Sequence, residues 1–411
     1  MFSVSLSLSA QYVSGDDLEI KIAIAGPGDE LYFWWGHIAL VICNTRTNEN
    51  NFYDYGVFSY KNADFYYNFA FGRMYYTSVR SSMESNIENY INNNRDISLY
   101  SLDLSPREKE IIYWEAEKSI LPEFRDYQYH FFYHNCTTRL LNIIDAAIDG
   151  QIEKYFTNQS GRFTFRQHVR RHSWFSPFFD WILNFWMGQD IDAAIPVWGE
   201  LFLPSEVGRQ FVNFQYIDSD GNLRNIVSNV ETLNHSVGRP IVLDAPRTQW
   251  IIELVFSLIL AAFLGFLFFI QVKFPAAGQV LLGITHSLLG LFFGTASLVL
   301  YFLSIFTSHD YTYHNINMIF CTPLLLAAFP LGIRYAVSKN YYRRIKTEFL
   351  LRLLWLLTVI GIFISMLIKL SPSYWQDNLT DQMLMLPIAL VLSLEPFGMK
   401  RLLYRIFWRF L

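Results

Sequence analysis

The sequence has little cysteine: Cys43, Cys136 and Cys321 are the three cysteines in a chain of 411 residues. The count is odd, and Cys321 lies inside a long apolar run. Exported domains that depend on disulfides usually carry an even number of cysteines at regular spacings. The sequence therefore predicts no disulfide framework.

Motifs that define several large enzyme classes are also missing. The sequence has no phosphate-binding P-loop, no dinucleotide fingerprint, no His and Cys spacing typical of metal sites and no basic patch for nucleic acid. We therefore expect no cofactor, no metal and no nucleic-acid partner.

Charge becomes scarce in the C-terminal part of the chain. The overall values, 52% hydrophobic residues and a net charge of −4, average a polar, aromatic segment up to residue 247 and an apolar segment at 248–411. The apolar segment contains five runs, at residues 250–270, 280–306, 316–333, 349–368 and 383–394. Runs of about 20 apolar residues match the hydrocarbon thickness of a bilayer and must be helical there. We predict an all-α transmembrane bundle of about five helices.

Lysine and arginine are absent from two loops between these runs, at residues 307–315 and 371–382, although Lys369 borders the second. The loop 334–348 and the tail after residue 394 are basic instead. Because basic loops tend to stay in the cytoplasm, we predict a multi-pass protein with a cytoplasmic C-terminus. Its N-terminal domain then lies outside the cytoplasm.

An N-terminal domain outside the cytoplasm requires an export signal. Residues 1–10 form a short apolar stretch that ends in Ala10 and lacks a basic start. We interpret this stretch as a remnant of a signal peptide. A first β-strand is the alternative, because the apolar residues of the stretch alternate with serines.

Residues 11–160 mix predicted strands and helices, which is typical of an α+β domain. Strands are predicted within residues 11–25, 31–43, 52–60 and 74–79, and helices at residues 105–121 and 136–148. We predict that this segment is an extracytoplasmic catalytic domain.

Residues 161–247 form an aromatic, largely helical extension, which we interpret either as ordinary core or as a segment at the membrane interface. Four arginines lie near the start of this extension: Arg162, Arg166, Arg170 and Arg171. We interpret them either as contacts for lipid phosphates or as part of a solvated helix face. Residues 248–411 make up the transmembrane domain.

The segment around Cys136 carries the strongest chemical signal. Cys136 follows Asn135 at the start of an apolar helical pattern, where the positive end of the helix dipole favours a thiolate. About a hundred residues earlier, His37 enters an apolar strand, and pairing with the next strand brings Asp54 near it. A thiolate and an imidazole are the groups that cysteine-dependent acyl transfer needs. The alternative is a buried structural cysteine and a satisfied core histidine.

Several motifs together resemble the Lnb family of bacterial envelope proteins. The matching segments are residues 26–32, Gly36-His37, residues 53–56, residues 131–139, residues 164–167 and residues 201–204. The resemblance implies a periplasmic N-terminal domain with a permuted papain-like fold, followed by a membrane domain in the bacterial inner membrane. It also implies N-acylation of lipoproteins.

The resemblance assigns roles to three residues. Cys136 matches the nucleophile and His37 the base, while Asp54 falls where many relatives carry an asparagine that orients the histidine. An aspartate can accept the same hydrogen bond, so this departure changes the charge more than the role. His134 departs from the family pattern too, since an acidic residue is common there.

The expected substrates are a phospholipid acyl donor and a lipoprotein acceptor, both at the membrane. The predicted substrate-binding residues are Asn135, Arg139 and Tyr55 near Cys136, and His314, Asn315 and Asn317 at the start of the third apolar run. Arg139 would meet a phosphate or pair with a surface carboxylate. The polar residues after 308 would bind substrate or end the span in water.

Two other functions fit the same residues. One is a papain-like peptidoglycan amidase or endopeptidase, and the other is a non-catalytic membrane scaffold or sensor. The absence of a wall-binding repeat weakly disfavours the first, and the intact His37 and Cys136 disfavour the second.

The predicted orientation can be tested with a reporter enzyme that is active only outside the cytoplasm. We expect activity when the reporter is fused after Gly221 and no activity when it is fused after Lys339, because four further basic residues surround Lys339 in its loop. The reverse pattern would invert the topology and exclude a periplasmic N-terminal domain.

Overall fold

The computed structural model describes residues 13–58, 64–247 and 249–394 of the chain. The predicted signal-peptide remnant at residues 1–10 and the basic tail after residue 394 lie outside these residues. The described residues divide into two compact units. A sheet unit comprises residues 13–58, 64–69, 73–163 and 194–241, and a helical unit comprises residues 70–72, 164–193, 242–247 and 249–394.

The sheet unit alternates strands with short helices. Its first half contains β1 (Leu18–Ala25), β2 (His37–Asn44), β3 (Glu49–Val57), α1 (Phe65–Ala70), β4 (Met74–Ser82), α2 (Met83–Asn92), β5 (Ile97–Leu102), α3 (Pro106–Ser119) and β6 (Asp126–Tyr129). Then follow α4 (Cys136–Ala147) and α5 (Gln151–Thr157). Residue periodicity predicted β1 to β4, α3 and α4, whereas α1, α2, α5, β5 and β6 were not predicted.

The helical unit begins with α6 (Phe165–Ser173) and α7 (Pro177–Trp186), after which the chain returns to the sheet unit. There it forms α8 (Val197–Glu200), α9 (Pro204–Phe211), β7 (Gln215–Ile217), β8 (Leu223–Asn225) and β9 (Val227–Asn234). The rest of the helical unit comprises α10 (Trp250–Lys273), α11 (Pro275–Phe306), α12 (Ala328–Val337), α13 (Tyr341–Ile368) and α14 (Leu379–Leu394). The structure thus divides residues 161–247 between the two units.

Seven strands form one antiparallel sheet in the order β6-β4-β3-β2-β1-β5-β9. β2 is central and nearly all apolar, which is typical of a strand that is buried on both faces. One face of the sheet packs on α4, and the other face packs around Tyr90 of α2. The mixed α/β domain and the following helical region are as predicted, whereas the permuted papain-like topology stays a prediction.

Three helices of the helical unit, α10, α11 and α13, are long and apolar enough to cross a membrane. The other two apolar runs form shorter apolar helices, Pro323–Val337 and Leu379–Leu394. The third run does not form one continuous helix from residue 316, because Pro323 cannot donate a backbone hydrogen bond. Its first turn, Ile316–Ile319, is a separate 3-10 helix. A count of five spans therefore stays a prediction.

Small residues allow α11 and α12 to pack closely. A Cβ atom on Gly283 would lie 2.5 Å from the carbonyl oxygen of Gly332, and one on Gly290 would lie 2.5 Å from the Cβ of Ala328. Close approach of backbones at small residues is a common way to pack helices in a membrane, where lipid removes the hydrophobic driving force.

Arg166, Arg170 and Arg171 of α6 are buried and form neither a lipid-facing cluster nor a solvated helix face, whereas Arg162 pairs with Glu206 in the sheet unit. Arg166 is fully buried, with its Nε atom 2.7 Å from Asp192, and its other nitrogens donate to backbone carbonyls. Arg170 is also buried and pairs with Asp377. A buried guanidinium requires such partners because the loss of hydration is costly. These arginines therefore hold the helical unit together.

Glu108 connects the start of α3 to the β7–β8 hairpin of the sheet unit. Its buried carboxylate accepts hydrogen bonds from the Ser105 N–H, the Tyr216 hydroxyl and the Ser219 N–H, at 2.7, 2.7 and 2.9 Å. Ser105 and Glu108 also form the capping box that begins α3.

Replacing Glu108 by alanine should lower the free energy of unfolding by about 2–3 kcal/mol, because buried donors would lose their acceptor. Glu115→Ala on the same helix is the control, since its pair with Lys118 is solvent-exposed and should contribute at most about 0.5 kcal/mol. Urea unfolding in detergent, followed by tryptophan fluorescence, measures both. Equal effects of the two substitutions would contradict the role of Glu108.

Candidate active site

Asn135 fixes the start of the helix that carries Cys136. Its Oδ1 atom accepts hydrogen bonds from the N–H groups of Thr137 and Thr138, at 2.9 and 3.0 Å. Its Nδ2 atom donates to the carbonyl oxygens of Phe131 and Phe202, at 2.9 and 3.0 Å. The side chain is buried, and its donors and acceptor are all used within the protein. We therefore assign Asn135 to positioning Cys136 rather than to substrate contact.

The cap leaves one N–H group available beside the sulfur. Thr137 and Thr138 donate to Asn135, but within the described part of the chain the N–H of Cys136 has no hydrogen-bond acceptor. The Cys136 side chain is buried, with 9% exposed, and its Sγ atom lies 3.9 Å from the Thr137 hydroxyl. A free N–H next to a nucleophilic sulfur is suited to stabilising an oxyanion.

His37 and Asp54 form the second part of the site. β2 and β3 pair antiparallel, so His37 at the start of β2 lies beside the second half of β3. The Nε2 atom of His37 lies 2.9 Å from Oδ1 of Asp54, as predicted from strand pairing. That same Oδ1 atom accepts the N–H of Gly56 at 2.7 Å. Residue 56 must be small, since a Cβ atom there would lie 2.7 Å from Cε1 of His37.

The electrostatics favour an ion pair between these two residues. Burial acts to lower the pKa of His37, but the charge of Asp54, with contributions from Tyr90 and Cys136, raises it well above its ordinary value. Burial acts to raise the pKa of Asp54, but His37 and the Gly56 N–H lower it. The two side chains are 14% and 16% exposed, so little water screens the pair.

Cys136 lies within electrostatic range of this pair. α4 packs against β2 and β3, and the Cys136 thiolate is among the groups that raise the pKa of His37. Asp54 engages Nε2 of the imidazole, so Nδ1 is the ring nitrogen that the pair leaves open. The structure thus brings together the three residues that the sequence singled out for catalysis.

Arg139, one turn along α4, contacts aromatic rings. Its guanidinium lies 4.2 Å from the ring centroid of Tyr127 and 5.9 Å from that of Tyr55. Among the described residues, no carboxylate pairs with it, so the predicted pair with a surface carboxylate is not observed. Tyr55 is fully buried in the core. We therefore assign Tyr55 to supporting Arg139, while a phosphate contact by Arg139 stays a prediction.

The other three predicted substrate-binding residues lie in the helical unit. Asn315 and Asn317 are buried, and both donate to the carbonyl oxygen of Phe185, at 3.0 and 2.9 Å. Their side-chain oxygens also accept hydrogen bonds, so we assign both residues to holding loops of this unit together. His314 is exposed and lies 2.8 Å from Asp190. A substrate contact by His314 stays a prediction.

Tyrosines near Cys136 were not singled out from the sequence. Tyr127 and Tyr129 of β6 and Tyr90 of α2 all interact electrostatically with Cys136, and burial raises the pKa of each hydroxyl. The Tyr-Gln-Tyr alternation at residues 127–129, upstream of Asn135, is a signal that could have revealed the first two. Tyr90 lies in a helix far away in the sequence, and no local pattern marks it.

These features define a class of site: a cysteine at a helix N-terminus, beside a histidine that a carboxylate holds. Such an arrangement is able to perform nucleophilic chemistry through a thiolate. Across residues 13–58, 64–247 and 249–394, no group of three or more His, Cys, Asp or Glu side chains is placed to hold a metal ion.

Comparison with known families identifies the domain that contains this site. Residues 8–171 match the model of the Lnb N-terminal periplasmic domain, in agreement with the family that the motifs predicted. The chain thus joins a segment similar to the Lnb N-terminal periplasmic domain to helices long and apolar enough to cross a membrane. Neither a curated protein nor a solved structure gives a significant match.

The ion pair at the site makes stability depend on pH in a defined way. The raised pKa of His37 contributes stability that is complete below its ordinary value of 6.5 and is lost as pH rises through the folded-state pKa. The lowered pKa of Asp54 contributes stability that is present above 3.8 and is lost as pH falls through its folded-state pKa.

We therefore expect the stability advantage of the wild-type protein over Asp54→Asn to be largest between pH 3.8 and 6.5 and to shrink at higher pH. Urea unfolding of both proteins over this pH range measures the difference. The control is Glu115→Gln, whose exposed pair should leave the pH profile unchanged. An advantage that grows with rising pH would contradict the ion pair.

Proposed function

We propose that the protein is a membrane-bound thiol acyltransferase. It moves a fatty acyl chain from a phospholipid, through a thioester on Cys136, to the N-terminal amine of bacterial lipoproteins. The observation that carries the proposal is the His37–Asp54 pair beside Cys136 within a Lnb N-terminal periplasmic domain. Helices able to cross a membrane support it, since both substrates are lipids that reside there.

The first half of the reaction loads the enzyme. His37 takes the proton of Cys136, and the thiolate attacks the ester carbonyl of the donor lipid. The N–H of Cys136 stabilises the oxyanion of the tetrahedral intermediate. When the intermediate collapses, the C–O bond breaks and lysophospholipid leaves with the proton from His37. Cys136 then carries the acyl chain as a thioester.

The second half transfers the chain to the acceptor. The α-amine of the lipidated N-terminal cysteine of a lipoprotein attacks the thioester carbonyl, and His37 accepts a proton from the amine. Collapse of this intermediate forms the amide and releases Cys136 as a thiolate. The thiolate then either takes the proton from His37 or remains as an ion pair with the protonated His37. Asp54 keeps the imidazole oriented and stabilises its protonated form in both halves.

The proposed location is the bacterial inner membrane. The positive-inside rule favours several spans and a cytoplasmic C-terminus, with the N-terminal domain in the periplasm. This arrangement gives the site access to lipoproteins after export. Arg139 would contact the donor phosphate, because its guanidinium is partly exposed and pairs with no carboxylate among the described residues.

The test is the acyl-enzyme intermediate. With phospholipid present and acceptor absent, Cys136 should carry a fatty acyl group, and neutral hydroxylamine should release it because thioesters are cleaved while amides are spared. A diacylated lipoprotein peptide with a free α-amine should discharge the adduct and become N-acylated. An N-acetylated peptide should not, because its amine is blocked. Intact-protein and peptide mass spectrometry measure each step.

Matched variants separate the nucleophile from the other thiols. Cys136→Ala should form no adduct and lose essentially all activity, whereas Cys43→Ala and Cys321→Ala should keep most of it. Full acylation by purified Cys136→Ala would exclude Cys136 as the nucleophile. Cleavage of a muropeptide without any lipid adduct would favour a peptidoglycan hydrolase instead. No turnover of either substrate would favour a scaffold or sensor.

A further inference from the structure

Five aromatic rings of the sheet unit form a continuous row, which we call the aromatic row. In spatial order they are Phe65 at the start of α1, Phe58 directly after β3, Tyr76 of β4, Tyr129 of β6 and Phe131 in the loop before α4. Neighbouring ring centroids lie 5.9, 4.9, 4.0 and 5.6 Å apart. Each of the five side chains is at least partly exposed. Rings at these distances form an unbroken apolar surface.

The strand register places the row on the face of the sheet that carries α4. Tyr76 of β4 pairs with Tyr127 of β6, and Tyr129 follows two residues later, so these three side chains lie on one face. The ring of Tyr127 lies 4.2 Å from the guanidinium of Arg139 on α4. The aromatic row therefore lies on the same side of the sheet as the helix that begins at Cys136.

Hydrogen bonds fix the Phe131 end of the row beside Cys136. The loop that contains Phe131 is closed at its base, where His130 and His134 exchange backbone hydrogen bonds at 2.8 and 3.1 Å. The carbonyl oxygen of Phe131 accepts a hydrogen bond from the Asn135 side chain at 2.9 Å. Since Asn135 directly precedes Cys136, one hydrogen bond and one peptide unit join the row to the residue that carries the sulfur.

At its other end, α1 extends the row with exposed rings. The six residues of α1 carry no charge, and none of them is buried. Tyr66, Tyr67 and Phe69 are 67, 57 and 46% exposed, and the ring of Phe69 stacks on that of Phe65 at 6.0 Å. Neighbouring exposed rings without charges between them are typical of a surface that binds lipid.

The segment that follows α1 belongs to the helical unit. The ring of Phe71 lies 5.4 Å from that of Phe302, and the carbonyl oxygen of Phe71 accepts the N–H of Ser308 at 3.0 Å. Phe302 lies in the last two turns of α11, a helix long and apolar enough to cross a membrane. Chain continuity thus joins the exposed rings of α1 to a segment that contacts the end of such a helix.

The chemistry of the row matches a hydrocarbon chain. A thioester on Cys136 requires only the carbonyl carbon of the acyl group at the sulfur, and the remaining methylene groups need an apolar surface. A row of rings that starts beside Cys136 provides one. A peptide from the cell wall would need partners for its amides and charges, which aromatic rings do not supply.

We propose that the aromatic row binds the fatty acyl chain of a phospholipid, with the ester end at Cys136 and the methyl end toward α1. The inference deepens the proposed function and rests on it in taking Cys136 as the residue that becomes acylated.

The test is photolabelling of full-length Cys136→Ala protein, which forms no thioester, in nanodiscs of phosphatidylethanolamine and phosphatidylglycerol. A small share of the lipid carries a diazirine in its acyl chain. Trypsin cleaves after lysine and arginine, so α1, Tyr76 and Tyr129 lie in three peptides, which end at Arg73, Arg80 and Arg139. We expect mass spectrometry to find the lipid on all three.

The peptide that begins at Tyr155 is the control. Tyr155 is 51% exposed, but it lies on α5 and contacts Phe156 and Phe214 instead of the row. It should carry about tenfold less label, since a bound chain is mostly enclosed by its own site. Labelling of the α1 peptide alone would show contact with the bilayer only and would overturn the inference, as would equal labelling of the control.

Variants at Tyr76, the middle of the row, test the same surface by a rate. Tyr76→Ala should slow acylation of Cys136 by a long-chain phospholipid about tenfold, because the chain loses an apolar contact, whereas Tyr76→Phe should stay within about twofold of wild type. Acetylation by p-nitrophenyl acetate should be equal in all three proteins, since an acetyl group has no chain to bind. Tyr155→Ala should behave like wild type with both donors.

The two donors separate this inference from the proposed function. If neither donor acylates Cys136 of the wild-type protein, then the nucleophile assignment fails, and photolabelling still decides whether the row binds a chain. If the long-chain donor acylates wild type and Tyr76→Ala equally fast, then only the role of the row fails. A circular-dichroism melt of each variant establishes that it is folded.

Discussion

The hydrogen bonds of the Asn135 side chain are the constraint on which the candidate site depends. One side-chain oxygen caps two N–H groups of α4, and one side-chain nitrogen joins the loop at Phe131 to the distant segment at Phe202. These hydrogen bonds hold the start of α4, the loop before it and a segment 67 residues away in one arrangement. The position of the Cys136 sulfur and the direction of the free backbone N–H of Cys136 both follow from these hydrogen bonds.

Burial and pairing oppose each other throughout the site. Removal from water disfavours a charged His37 and a charged Asp54, yet their mutual attraction and the Gly56 N–H outweigh this cost. Arg95 is also buried, and its guanidinium lies between the rings of Phe33 and Tyr90 with one nitrogen left without a hydrogen-bond partner. The balance keeps both groups of the His37–Asp54 pair ionised in the folded protein.

In the helical unit, buried polar side chains bind backbone carbonyl groups rather than forming a candidate reactive site. The side chains of Arg166, Asn315 and Asn317 are buried, and they donate to backbone carbonyls at the ends of helices. Free carbonyl groups at such ends need donors, and water is not accessible to these atoms. Polar residues in an apolar part of a chain therefore indicate internal hydrogen bonding as readily as they indicate a substrate site.

The sequence by itself determined the local features of this protein. Residue periodicity located β1 to β4, α3 and α4, and the Asn-Cys pair marked the start of a helix because capping is a property of neighbouring residues. Pairing of consecutive strands even placed Asp54 beside His37. The long apolar runs likewise identified the helices able to cross a membrane.

Only the tertiary structure decided which distant residues share one environment. Arg95 and Tyr90 lie in segments with no motif, and the placement of the guanidinium over the Tyr90 ring depends on how α2 packs on the sheet. The burial of Arg166 also depends on tertiary packing, because no local sequence pattern shows whether this side chain is exposed or buried. Burial and long-range electrostatics depend on the packing of the whole chain, whereas a sequence pattern reports on neighbours within a few residues.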